Sequence, residues 1–165
     1  MLLSRPIMLG LVFFAVLSIA EYGIGDFGIS ALHLSYEIPL TSATFALSVY
    51  LFAGPAGVLL GGWLADRSTR HDVVVALCMT TYTICVTAIG LLDPVWPVLI
   101  GLLAVGGFTA GMVAPSRDLI IRSVTRPRDI GKVFGFVAMG LTIGGVIVRY
   151  RRILNIGMKA QPYAR

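Results

Sequence analysis

The sequence predicts an all-α membrane protein with about five transmembrane helices, and three observations carry that expectation. The chain is 57% hydrophobic and only 13% charged, against roughly 25% charged residues in soluble domains. That leaves too little polar surface to cover a globule in water. Its apolar residues fall in runs long enough to cross a bilayer, which takes ~20 residues as a helix. Its basic residues collect in alternate links between those runs. A soluble helical domain with a greasy core would need shorter runs and a charged face.

The first run extends from Ile7 to about Ser30 and is interrupted by Glu21 and Asp26. Arg5, the apolar stretch and Ser18-Ile19-Ala20 imitate a cleaved signal peptide. Apolar character continues past that point, which favours a retained helix. The second run is Ala43 to Leu64. The third, Val73 to Leu92, has no charge and ends at Asp93-Pro94, a tight turn because proline cannot continue the helix before it. The fourth is Val95 to Ser116, with Leu119 to Val124 either its frayed continuation or a short interfacial helix. The fifth, Val133 to Val148, has 16 residues. At 1.5 Å per residue it reaches roughly 24 Å, short of the ~30 Å core. Residues 149–165 form a basic tail that is expected to be aberrant.

The net charge of +5 could suggest nucleic acid, but its distribution argues against that partner. Arg5 precedes the first run, Arg67 and Arg70 follow the second, and Arg117, Arg122, Arg126, Arg128 and Lys132 lie between the fourth and fifth. The links after runs one and three hold Glu37 and Asp93 and no Lys or Arg. Positive charge stays on the cytoplasmic side, so the amino terminus is expected inside. The tail breaks this pattern. Five spans starting inside end outside, together with Arg149, Arg151, Arg152, Lys159 and Arg165.

Four glycine pairs have the small-xxx-small spacing that lets membrane helices approach closely: Gly57/Gly61, Gly107/Gly111, Gly131/Gly135 and Gly140/Gly144. Cys78 and Cys85, seven apart, share a helix face two turns apart, too far for a disulfide. They read as small packing residues. No metal-ligand cluster, catalytic triad or phosphate loop occurs in the sequence, so no cofactor, metal or enzymatic activity is expected.

The most specific stretch is Gly61-Gly62-Trp63-Leu64-Ala65-Asp66-Arg67-Ser68-Thr69-Arg70-His71. It resembles the signature loop of the major facilitator superfamily: a glycine, three residues, Asp-Arg, then basic residues. Its place on a cytoplasmic link fits the second and third helices of a six-helix half. Pro115-Ser116-Arg117-Asp118-Leu119-Ile120-Ile121-Arg122, followed by Gly131-Lys132-Val133-Phe134-Gly135-Phe136 and Gly140-Leu141-Thr142-Ile143-Gly144-Gly145, is similar to the link between helices ten and eleven in bacterial members. Those include relatives resembling fosmidomycin-resistance exporters. The resemblance covers about residues 5 to 148 and implies a carboxy-terminal half, from helix seven to part of eleven. Val148 to Gly157 resembles a shortened end of that last helix, and the expectation is a truncated or decayed reading frame.

The resemblance implies that Asp66 faces the start of span five near Gly131, where unpaired N–H groups stabilise a carboxylate. Arg67 and Arg70 would pair with Asp66 or with lipid phosphates. Such a latch favours one of two alternating-access states. The same charges also read as solvated loop residues that only set topology. Arg117 and Asp118, at the cytoplasmic mouth of span four, read equally as a local ion pair or a gate.

Glu21 and Asp26 are candidates on their own chemistry. A carboxylate near the bilayer centre costs several kcal/mol unless paired or hydrated, and one that takes up and releases a proton suits an antiporter. Five residues apart, they point about 140° from one another and cannot both face one cavity. The plainer reading puts Asp26 at the wet outer interface, leaving only Glu21 deep. The expected function is secondary transport of a small solute across the cell membrane, with proton-coupled export as the finer form. A lone half would need a partner half or self-association, because the site lies between halves. The alternative is a membrane fragment or assembly element without transport.

Overall fold

In hydrocarbon every backbone N–H and C=O must be satisfied within the protein, which leaves an apolar segment the choice of helix or closed barrel. This chain is helical. A computed structural model describes residues 5–36 and 38–160; the side chains of Pro6, Ser35, Tyr36 and residues 151–160 lie outside that description. Glu37 and Arg165, which entered the charge pattern above, are outside the described residues, and Arg151, Arg152 and Lys159 are described in backbone only.

The helices are α1 (Arg5–Tyr36), α2 (Leu40–Arg67), α3 (His71–Leu92), α4 (Trp96–Ser123) and α5 (Ile130–Ala160), with a 3-10 turn at Pro127–Asp129 before α5. No strand occurs among the described residues. Each of the five carries an apolar stretch long enough to span: Ile7–Leu34, Leu40–Arg67, His71–Leu92, Trp96–Ser123 and Pro127–Tyr150. The chain is therefore an all-α membrane protein, as its sequence predicts.

The helix ends follow local chemistry. Ser68 is extended, and its N–H donates to Leu64 O at 2.8 Å, closing α2. Asp93 takes the left-handed conformation at φ 42°, a conformation that Asp tolerates better than most residues, and Pro94 then blocks continuation of α3. Asp72 sits in the first turn of α3, where negative charge complements the helix dipole. Several described hydroxyls in the spans bond back to their own helix: Ser18 to Phe14 O at 2.8 Å, Thr44 to Leu40 O at 2.8 Å, Thr80 to Ala76 O at 2.8 Å and Thr109 to Val105 O at 2.8 Å. This disposes of polar atoms where no water is present. The outer surface is apolar, with Leu9, Phe52, Leu59 and Leu91 largely exposed, as lipid-facing residues should be.

The described contacts divide the chain into two units. One contains residues 28–124. Within it α2 and α4 run parallel: Tyr50 meets Gly107, Gly54 meets Gly111, Gly57 meets Phe108 and Gly61 meets Met112. A Cβ on Gly57 would collide with the carbonyl oxygen of Phe108, one on Gly107 with that of Tyr50, and one on Gly111 with that of Gly54. The backbones touch. On α2 the buried positions Ala43, Ala46, Leu47, Tyr50, Gly57, Gly61 and Ala65 make one stripe at helical spacing. Cys78, Tyr82 and Cys85 form the buried stripe of α3, and Tyr82 and Cys85 lie beside Gly106 of α4.

The other unit joins α1 up to residue 27 with the chain from residue 125 onward. Here α1 and α5 also run parallel. Gly10 meets Val137, Gly140 meets Leu11 and Ala15, Gly144 meets Ala15 and Ser18, and Gly145 meets Tyr22. A Cβ on Gly140 would stand 2.6 Å from Leu11 O, and one on Gly144 would stand 2.6 Å from Ala15 O. Val133, Val137, Gly140, Gly144 and Val148 mark the buried face of α5.

Candidate functional site

The signature stretch is split between a helix and the link after it. Gly62, Trp63, Asp66 and Arg67 close α2, and Arg70 precedes α3. At Gly62 no atom lies within 4 Å of where a Cβ would stand. Asp66, Arg67 and Arg70 are exposed. The Arg67 guanidinium lies over the Trp63 ring, 4.2 Å from its centroid, a cation–π contact. Asp66 makes no ion pair among the described residues. The link is tightened by the Arg70 N–H donating to Ser68 Oγ at 3.2 Å. His71 is half-buried, and its Nδ1 is buried with no hydrogen-bond partner among the described residues.

Arg117 and Asp118 form an ion pair, Nε to Oδ1 at 3.2 Å, with the arginine side chain 15% exposed and the aspartate 46%. They lie on α4 after Pro115, and the helix continues unbroken to Ser123. The stretch from Leu119 onward is thus part of α4. Gly131 opens α5 and is exposed, with nothing within 4 Å of a Cβ. It belongs to one unit and Asp66 to the other.

The sequence reading passed over Asp129. Its carboxylate ends the 3-10 turn immediately before α5 and lies 3.8 Å from Lys132 Nζ. An acid just ahead of an apolar run is a helix-start signal, so Pro127-Arg128-Asp129 could have been read as the entry to α5. An acid there complements the positive end of the helix dipole.

Glu21 and Asp26 lie well inside α1 and are both half-buried. The Asp26 Oδ2 atom is buried and has no hydrogen-bond partner among the described residues. A buried polar atom without a partner is uncommon and expensive, and more so at membrane depth. His33 falls in the last turn of α1, its Nδ1 2.7 Å from Ile38 O.

The family model of the Major Facilitator Superfamily matches residues 6–150, almost the whole described chain. No curated protein and no solved structure matches it.

Proposed function

The chain belongs to the major facilitator superfamily, and on that premise we propose that it serves secondary active transport of a small solute, exported in exchange for protons. The family consists of membrane transporters rather than enzymes. The observation that carries the finer reading is the pair Glu21 and Asp26, half-buried carboxylates in an otherwise apolar spanning helix. Intramembrane acids of this kind are where proton relays are built.

In this reading the chain is the carboxy-terminal half of a bacterial exporter of the type that resembles fosmidomycin-resistance proteins. It sits in the inner membrane with its amino terminus in the cytoplasm. A second half, or a second copy, completes the solute site at the midplane. Asp66 and the amino-terminal end of α5 at Gly131 act as a latch: the carboxylate meets the unpaired N–H groups in one access state and leaves them in the other. Arg67, held over Trp63, and Arg70 remain available to lipid phosphates. The Arg117–Asp118 pair holds the cytoplasmic mouth of α4 and opens as that mouth does.

The test is proton movement in vesicles that contain the protein and an acidic interior. Small anionic, cationic and neutral solutes are added in turn while a pH-sensitive dye is followed. At least one should discharge the gradient. Asp26→Asn or Glu21→Gln should cut that rate by about tenfold or more, equivalent to about 1.4 kcal/mol of barrier, while Asp66→Asn should slow it without abolishing it. A panel in which no solute moves protons would leave a membrane fragment without transport as the better account.

A further inference from the structure

The amino-terminal end of α1 carries an open groove of about 300 Å³, lined by Arg5, Met8, Leu9 and Val12. Three of these side chains are apolar, and the fourth is a cation at one end of the groove. The apolar stretch of α1 that is able to span runs from Ile7 to Leu34, so Arg5 stands just outside it, at headgroup level. From Arg5 to Val12 the helix rises roughly 10 Å. The groove therefore starts among lipid headgroups and runs down into the hydrocarbon. Leu9 is 69% exposed and Val12 52%, so no other part of the described chain covers it.

This flank of α1 is turned away from α5. Gly144 of α5 touches Ser18, and at about 100° per residue Arg5, Leu9 and Val12 lie roughly 120–180° round the helix from that contact. Charge favours an anion here. Arg5 makes no ion pair among the described residues. Gly10 lies against Val137, so the register sets Arg5 level with about Lys132. The same end of the helix pair thus carries Arg126, Arg128 and Lys132, all exposed. The acid described there, Asp129, is 3.8 Å from Lys132 Nζ, and the three arginines keep their charge unanswered among the described residues.

We propose that this groove binds an anionic phospholipid from the leaflet that meets the amino-terminal end of α1. One acyl chain lies along Met8, Leu9 and Val12, and the Arg5 guanidinium donates to the phosphate. Arginine suits the task because its planar fork donates to two phosphate oxygens at once, while its stem lies along apolar surface. Cations beside a span attract anionic lipid, and the cations of α5 add to that field without lining the groove. A zwitterionic lipid brings its own cation to the same place and gains less. A second copy of the chain packed symmetrically on this flank would set one Arg5 against another, a like-charge contact. The inference needs only that α1 spans, and it stands whether or not the chain transports.

The test is native mass spectrometry of the full chain in mild detergent, given equal amounts of phosphatidylglycerol and phosphatidylcholine with identical acyl chains. The chain should retain phosphatidylglycerol in preference. Arg5→Gln should lower that preference about fivefold, the effect of one cation at a membrane surface. Arg128→Gln, at the same end but outside the groove, should lower it less than about twofold, since charges further off are screened. Val12→Trp fills the groove and should weaken retention of both lipids. All three side chains are exposed, so the unfolding midpoints should match that of the unaltered chain. Equal losses for Arg5→Gln and Arg128→Gln would replace the site by a diffuse field and overturn the proposal. So would an undiminished preference in Arg5→Gln, or lipid retention that Val12→Trp leaves unchanged. A chain that is dimeric when unaltered and monomeric as Val12→Trp would assign the flank to a second copy instead.

Discussion

The α2·α4 seam has glycine on both helices, whereas the α1·α5 seam has its tightest glycines on α5 alone. On the first, Gly54 meets Gly107 and Gly111, Gly57 and Gly61 meet Phe108 and Met112, and backbone meets backbone. On the second, Gly140 and Gly144 receive the backbone and side chains of Leu11, Phe14, Ala15 and Ser18, and Tyr22 lies against Gly145. In lipid no hydrophobic force draws helices together, so association depends on close packing and polar contacts. The first seam relies on approach alone. The second adds side-chain volume from α1, which fills the space that the glycines of α5 leave.

The sharpest way to break this comparison is to add volume where nothing can yield. Gly107→Val places a branched side chain into the Tyr50 carbonyl. Overpacking a tight site costs 1–3 kcal/mol and sometimes more, and here the obstacle is main chain. A loss of about 3 kcal/mol or more is expected, seen as little monodisperse protein after extraction. A yield like that of the unaltered chain would show that the α2·α4 backbones are not in contact.

The α1·α5 seam is tested by a smaller insult. Gly144→Ala sets a Cβ 2.6 Å from Ala15 O and 2.6 Å from the Ser18 Cβ, so α1 must move outward. Replacing a helical glycine by alanine returns about 0.8–1 kcal/mol in helix propensity, and the net loss should be about 1 kcal/mol. The unfolding midpoint of Gly144→Ala should therefore lie between those of Gly107→Val and the unaltered chain. A loss matching that of Gly107→Val would erase the distinction between the seams.

Much of the fold was legible because bilayer thickness dictates helix length. The runs beginning near Ile7, Ala43, Val73, Val95 and Val133 all became helices. Their ends were less legible. Hydropathy records where lipid lies, not where hydrogen bonding stops, so α4 extends through Arg117, Asp118 and Arg122 to Ser123, and α5 runs on past Arg149. Arginine is a good helix former, and nothing in either stretch breaks the ladder. Asp93-Pro94 was legible because its chemistry is local. The candidate site was legible only as residue types. Asp66 and Arg67 could be picked out from their motif, but the preference of Arg67 for the Trp63 ring depends on a rotamer that sequence does not encode. Which helices pair, α1 with α5 and α2 with α4, is not given by spacing.

The glycine pairs show the same limit and furnish the mildest test. By spacing alone Gly131/Gly135 equals Gly57/Gly61, yet neither Gly131 nor Gly135 has any atom within 4 Å of a Cβ, while Gly57 and Gly61 sit against main chain. Gly135→Ala should accordingly leave stability unchanged or raise it by about 0.5–1 kcal/mol, through helix propensity and a less free unfolded chain. Gly131→Ala, in the first turn, should do the same in thermal unfolding. The two variants part company in transport. If the Asp66 carboxylate visits the start of α5 in the other access state, a methyl group at position 131 obstructs it and one at 135, a turn further on, does not. Gly131→Ala should then slow solute exchange several-fold with its unfolding midpoint intact. Equal rates for the two variants would remove Gly131 from the latch and leave Asp66 as a charge that sets topology.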